Sequence, residues 1–240
     1  MMDEFTNPRC STGTLDTFFP RRKIVGALRA ELSRFRGTVL DVGCGRKPYK
    51  SVLFESPSEV QTYIGLDLPS ELRHPAYARF EQPELTWNGT TIPLCDNTVD
   101  CVIATELFEQ CFNLQPVLNE IARVLKTGGS LFFSVPFWWP LHDAPNDQHR
   151  YSPFALKRYL EQAGFGEIRI SALGGWDASL AQMLALWLRR RSLRKWQRVM
   201  LIGIFFPVIL WLFRIDRPAN AFADQAMITH LTGVAEKISH

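Results

Sequence analysis

Apolar positions recur along this chain with two rhythms. Across residues 20–35, Ile24, Val25, Leu28, Leu32 and Phe35 follow helical spacing, with Pro20 placed to open a helix and Gly37 to end it. Short, continuously apolar runs follow at 38–42, 62–66, 99–105 and 130–135. Between the last two, Val117, Leu118, Ile121, Val124 and Leu125 mark one face of a helix expected to stop at Gly128 and Gly129. A further helix is expected over 154–164, a strand over 167–172 and a last strand over 227–236, with a weakly marked third strand at Ala78–Phe80. Runs that are apolar throughout, rather than alternating, suit strands covered on both faces by crossover helices. The predicted architecture is therefore α/β, a Rossmann-like doubly wound, mostly parallel sheet.

Residues 1–37 form an expected N-terminal helical cap and 38–178 the core. Residues 179–218 are expected to be a basic and apolar helical insertion, after which 219–240 return a strand to the sheet. With 240 residues, 46% of them hydrophobic, one such domain can bury a full core without metals or cross-links. The five cysteines, Cys10, Cys44, Cys95, Cys101 and Cys111, form no C-x-x-C pair and are odd in number. That pattern argues against a zinc ribbon or a disulfide framework and favours a reducing compartment. The first residues carry Asp3 and Glu4 instead of the basic-then-apolar order of a secretory signal, so a cytoplasmic location is expected.

Candidate chemistry begins at Val39-Leu40-Asp41-Val42-Gly43-Cys44-Gly45, which places glycines at the carboxyl end of a strand. Lacking Cβ, they let the backbone turn sharply and approach a ligand. One βαβ step later, Ile64-Gly65-Leu66-Asp67 sets a carboxylate at a strand tip, suited to accept hydrogen bonds from both hydroxyls of a ribose. The turn continues Arg46-Lys47-Pro48, so the third glycine of a dinucleotide fingerprint is absent and a pyrophosphate seat is disfavoured.

These residues resemble motif I of the class I S-adenosylmethionine-dependent methyltransferases, in the short single-domain, type 11-like form. The resemblance extends through Ile92-Pro93-Leu94, Asp96 to Asp100, and Glu120 to Gly129, covering roughly residues 39–164. It implies the class I methyltransferase fold, S-adenosylmethionine as cofactor, Asp41 near the ammonium of its methionine part, and Gly43, Cys44 and Gly45 along the ligand. Asp67, Leu68, Trp87 and Glu106 complete the expected cofactor-binding set. Trp87 is a candidate to stack on the adenine and equally a candidate core residue. Many relatives read Glu-His where this chain has Glu109-Gln110. Asp100 and Arg123 read more simply as structural residues.

After the 130–135 run comes a loop containing Phe137, Trp138, Trp139, His142, Asp143, Asp147, His149, Arg150 and Tyr151, which the open-sheet rule hangs over the same crevice as Asp67. For a hydroxyl acceptor, His142 is the expected general base, oriented by Asp147, with His149 as the alternate base and Tyr151 as an acceptor contact. The aromatic residues are an acceptor wall or the packing of a lid. The spacing of these His and Asp residues matches no common metal motif, and no metal is expected.

Residues 189–217 hold eight Lys/Arg against Asp216, a local charge of +7, which leaves −4 for the rest of a chain whose net charge is +3. Residues 199–213 are uncharged and apolar all round, and at fifteen residues would span only ~22 Å as a helix, short of a ~30 Å hydrocarbon core. Peripheral attachment to an anionic membrane, on its inner face, is the leading expectation for this segment. Packing against the domain or a second subunit is the rival, and nucleic acid a distant third. The overall expectation is methyl transfer to a small-molecule or lipid- or saccharide-linked acceptor of unidentified atom type. A noncatalytic cofactor-binding or scaffold subunit and a nicotinamide oxidoreductase remain as alternatives.

Overall fold

The computed structural model describes residues 3–72 and 81–238. Among the described residues seven strands form one sheet: β1 (Arg36–Val42), β2 (Glu59–Asp67), β3 (Leu85–Thr86), β4 (Val99–Thr105), β5 (Leu125–Pro136), β6 (Phe165–Leu173) and β7 (His230–Lys237). Their order is β3-β2-β1-β4-β5-β7-β6, with β7 antiparallel to both of its neighbours and the other pairings parallel. Chain order reverses beside β1, which lies between β2 and β4, and such a switch point opens a crevice at the carboxyl ends of the strands.

The helices are α1 (Asp3–Thr6), α2 (Leu15–Ala30), α3 (Leu114–Val124), α4 (Pro153–Gln162), α5 (Trp176–Arg190) and α6 (Lys195–Ile215). Successive β1 side chains go to opposite faces: Leu40 and Val42 join the core under α3 and α4, whereas Val39 joins that under α2. A third cluster unites Leu15 of α2 with Ala181, Ala185 and Leu188 of α5 and Ile209 and Leu212 of α6. The α5–α6 hairpin is thereby built onto the helix that precedes the sheet.

Several boundaries differ from expectation, each for a local reason. Pro20 lies inside α2 and does not open it. The helical donor it lacks is replaced across the interface, because the Gln182 side-chain amide of α5 donates to the carbonyl of Asp16, four residues before Pro20. Gly37 lies in β1, at a register shift where φ is +57° and a Cβ would collide with the Asp100 carboxylate. Asp100 accepts from Thr38 N and Lys126 Nζ, which is the structural role read for it. Arg123 ties Glu120 and Asp96 to the Ile92 and Leu94 carbonyls.

Helix α3 ends at Val124 and the chain enters β5 at once, so Gly128 and Gly129 form an irregularity in the strand instead of a helix stop. A Cβ on Gly129 would meet two backbone carbonyl oxygens at 2.7 and 2.8 Å. The third strand expected at Ala78–Phe80 falls outside the described residues, and the strand found beside β2 is Leu85–Thr86. Helix α6 has 21 residues, not fifteen, because the charged ends Lys195–Arg198 and Arg214 continue the same helix; at 1.5 Å per residue it is ~31 Å long.

Candidate active site

A cleft of about 780 Å³ opens at the carboxyl ends of β1, β2 and β4. Its floor is the turn after β1, where Gly43 and Gly45 have φ of +73° and +53°, in the left-handed region that disfavours side chains. A Cβ on Gly43 would also press to 2.8 Å from Leu107. The turn is sewn to β2 by Gly43 N and Cys44 N, which both donate to the Leu66 carbonyl. Asp67 completes the seam by accepting from Gly45 N at 2.9 Å and from Leu68 N at 2.7 Å. The glycine turn and the strand-tip carboxylate thus converge on one cavity, together with Cys44, Leu68, Trp87 and Glu106. Trp87 is 6% exposed, lining the cleft with one side and packing in the core with the other.

Asp41 is the exception. The strand pleat turns it away from the cleft toward the α2 face, where it is 1% exposed and its Oδ2 accepts from Tyr63 OH at 2.6 Å. It does not line the cavity. Burial, only partly offset by the Tyr63 hydrogen bond, lifts its carboxyl from 3.8 to about 7. The folded chain therefore holds a proton there that the unfolded chain releases, and the associated stability, complete below pH 3.8, is lost as pH rises to about 7. Asp41→Asn is expected to gain on the parent across that window and hold the gain above it, at about 1.4 kcal/mol per pKa unit. Denaturant titrations of both proteins from pH 4 to pH 8 check this, and a constant difference between them refutes it.

Lys47, two residues beyond Gly45, is buried with φ of +53°. Its ammonium meets Glu84 at 2.7 Å and Glu81 at 3.1 Å, while Glu84 also accepts from Gly65 N. The turn is braced by an ion-paired lysine under its outer side.

The N-terminal cap closes the cleft from above with Phe5, Thr17, Pro20, Arg21 and Ile24. The far wall comes from the loop after β5: Trp139, His142, Asp143 and Asn146 line the same cavity as Asp67. His142 Nδ1 stands 3.2 Å from Asp147 Oδ2, which also accepts the His142 backbone N–H, and His142 Nε2 lies 3.9 Å from Glu109. The ring contact to Asp147 is close but poorly angled for a hydrogen bond. The Arg150 guanidinium grips both Asp147 oxygens and holds that carboxyl at about 2, so Asp147 is an anion beside the imidazole.

Two other acceptor-side candidates lie elsewhere. His149 points its Nε2 at the Phe112 carbonyl, outside the cleft. Tyr151 is packed in the core edge-on to Tyr159, with its hydroxyl pKa pushed up by burial. Phe137 likewise packs on the core, leaving Trp139 as the aromatic wall. Among the described residues no group of three or more His, Cys, Asp and Glu side chains is arranged to hold a metal.

Three polar groups were not among the site residues expected from the sequence. Glu109 is fully buried with neither carboxylate oxygen hydrogen-bonded, and burial, then the nearby Glu106, raises its carboxyl well above the ordinary range. His230, at the start of β7, is buried, edge-on to Trp139, and its pKa is driven down to about 3, chiefly by burial. Arg150 is the clamp on Asp147. Glu106, expected at the cofactor, stands between the two ends of the cleft with φ of +51°. Ser134 Oγ donates to its Oε1, Oε2 faces His230 at 3.8 Å, and burial lifts its carboxyl to about 7. Backbone held in the left-handed region by a non-glycine residue at a cleft is a common mark of function.

A doubly wound sheet of this strand order, with a glycine turn and a strand-tip acid facing one cleft, defines a class I methyltransferase fold. Residues 40–133, 39% of the chain, match the sequence model of the family described as a methyltransferase domain. Over 116 residues, 47% of this chain, it is 31% identical to malonyl-[acyl-carrier protein] O-methyltransferase 1 of Coxiella burnetii. The chain spans 25% to 54% of the length of the curated relatives it matches. Among solved structures, a chain of the complex containing the Haloferax volcanii Trm112 methyltransferase activator aligns over 93% of this chain and 94% of its own, with a TM-score of 0.59 and 19% identity. Phosphoethanolamine N-methyltransferase 2 of Haemonchus contortus, solved with S-adenosyl-L-methionine, aligns over 91% of this chain and 53% of its own, at TM-score 0.55 and 12% identity. At these identities the structural matches speak for the fold.

Proposed function

We propose that this chain transfers a methyl group from S-adenosylmethionine to a hydroxyl of a small-molecule or lipid- or saccharide-linked acceptor, on the cytoplasmic side of the cell. The observation that carries the reading is the single cleft, with the glycine turn and Asp67 at one end and His142 beside Asp147 at the other. The bound cofactor supplies a methyl group on a positively charged sulfur. The chain's residues have to hold it, exclude water and keep the acceptor in line with the methyl carbon. Asp67 takes the ribose hydroxyls, and Cys44, Leu68 and Trp87 line the same end. Trp139 and His230 wall the acceptor end, and His142, held against the Asp147 anion, receives the hydroxyl proton as the new C–O bond forms and the C–S bond breaks.

A second reading of the base is favoured by one observation. Glu106 lines the cleft beside His230 with a carboxyl lifted to about 7, the range that suits a general base near neutral pH. The Coxiella relative aligns with 47% of this chain and 39% of its own length, so the acceptor in its name belongs to that protein.

Two experiments test the proposal. Calorimetry should show binding of S-adenosylmethionine and S-adenosylhomocysteine but not of NAD; tight NAD binding would instead support an oxidoreductase. Incubation of the protein with methyl-labelled cofactor and a fractionated cell extract should move label into an acceptor fraction. Cofactor binding with no transfer into any fraction would favour a noncatalytic subunit.

A further inference from the structure

Helix α6 is long and apolar enough to cross a membrane by length and composition, yet it lies along the protein with most of its surface uncovered. Of its 21 residues only Ile209 and Leu212 are buried. Trp196, Val199, Met200, Ile204, Val208, Trp211 and Ile215 recur at helical spacing as an exposed apolar stripe. Helix α5 adds Trp176, Leu180, Met183 and Trp187, also exposed and at helical spacing. A soluble domain seldom leaves two such stripes on one hairpin without something to cover them.

Charge says what covers them. The tip of the hairpin, residues 189–198, carries Arg189, Arg190, Arg191, Arg194, Lys195 and Arg198 and no acid. Among the described residues, Asp16 on α2 is the acid that pairs with this group, at 3.5 Å to Arg189 and 2.9 Å to Arg190. Arg194 and Lys195 are exposed at the start of α6, with Trp196 beside them. A row of cations, an interfacial tryptophan and an apolar helix face suit anionic headgroups above acyl chains. A protein partner of that shape would have to be both acidic and greasy.

Three features favour docking along the membrane surface over crossing it. Phe213 is stacked on Phe19 of α2 at 4.5 Å. The Asp216 carboxylate, just past α6, accepts from Gly175 N and Ala178 N and so caps the start of α5. Pro207 leaves the Gly203 carbonyl without its helical donor on the exposed side, where interfacial water and headgroups can satisfy it.

We infer that the α5–α6 hairpin is a docking surface for an anionic lipid bilayer, lying in the interface with its basic tip at the headgroups. Arg190 at that tip also stacks on Trp139 of the cleft wall, 5.7 Å from the ring centre. Docking therefore sets the acceptor end of the cleft beside the bilayer surface.

The test needs no methyl transfer, so it stands or falls separately from the proposed reaction. The full chain is floated with phosphatidylcholine vesicles containing or lacking phosphatidylglycerol. Binding is expected only with the anionic lipid and should fall as salt is raised. At a contribution of ~1 kcal/mol per cation near such a surface, Arg194→Gln with Lys195→Gln should lower partitioning roughly 30-fold. Ile204→Ser with Val208→Ser, at exposed positions that leave the fold intact by circular dichroism, should lower it as well. Failure to float with anionic vesicles, or parent-like binding by both double variants, overturns the inference. So does a stable dimer in light scattering that Ile204→Ser with Val208→Ser dissociates, or retention in membranes after alkaline carbonate extraction, the mark of a spanning helix.

Discussion

Asp67→Ala should weaken S-adenosylmethionine binding by at least about 100-fold. A hydrogen bond to a charged group contributes about 1.5–3 kcal/mol, and this carboxylate is placed to receive two from the ribose. The same side chain also holds Gly45 N and Leu68 N, so its removal loosens the turn that forms the cleft floor. Asp67→Asn keeps an acceptor oxygen but not the charge, and its loss should fall between parent and alanine. Calorimetry with S-adenosylhomocysteine checks all three proteins, with circular dichroism confirming that each is folded. An alanine variant within about threefold of the parent would remove the adenosine from this end of the cleft, and with it the reading of the site.

The two ends of this cleft were not equally legible in the sequence. Parallel strands covered on both faces read as unbroken apolar runs, so β1, β2, β4 and β5 stood out, and with them the strand-end positions of Gly43, Gly45 and Asp67. Whether a strand-end side chain faces the cleft or the core depends on the pleat and its neighbours across the sheet. The motif alone did not show that Asp41 would turn under α2 to meet Tyr63. His230 was harder still. It is the first residue of a strand, and first residues of parallel strands lie at the opposite edge from the cleft. Only because β7 runs antiparallel does His230 reach Trp139 and Glu106.

Local punctuation misled where a distant partner compensated for it. Pro20 reads as a helix opener until Gln182, far along the chain, supplies a donor to the carbonyl the proline leaves unpaired. Gly37 and the Gly128–Gly129 pair read as helix stops, yet they lie at strand irregularities, where Gly37 and Gly129 pack against Asp100. In the appendage, counting only uncharged residues shortened a helix whose basic ends are part of it, and those ends carry the membrane inference.

Exchange of the acceptor-side groups should separate the base from its supports. If His142 takes the acceptor proton, His142→Gln lowers the rate of label transfer by about 10²- to 10⁴-fold while S-adenosylhomocysteine binds as tightly as to the parent. Asp147→Asn should then cost less, since it removes the anion beside the imidazole and leaves the ring present. Glu106→Gln should change the rate little. A base must be unprotonated to act, so a carboxyl raised to about 7 in that role gives a rate that climbs with pH through neutrality. Should Glu106→Gln abolish that limb and carry the large loss, while His142→Gln keeps both limb and rate, the proton goes to Glu106. His142 would then be a wall of the acceptor pocket, positioned by Asp147 and Arg150.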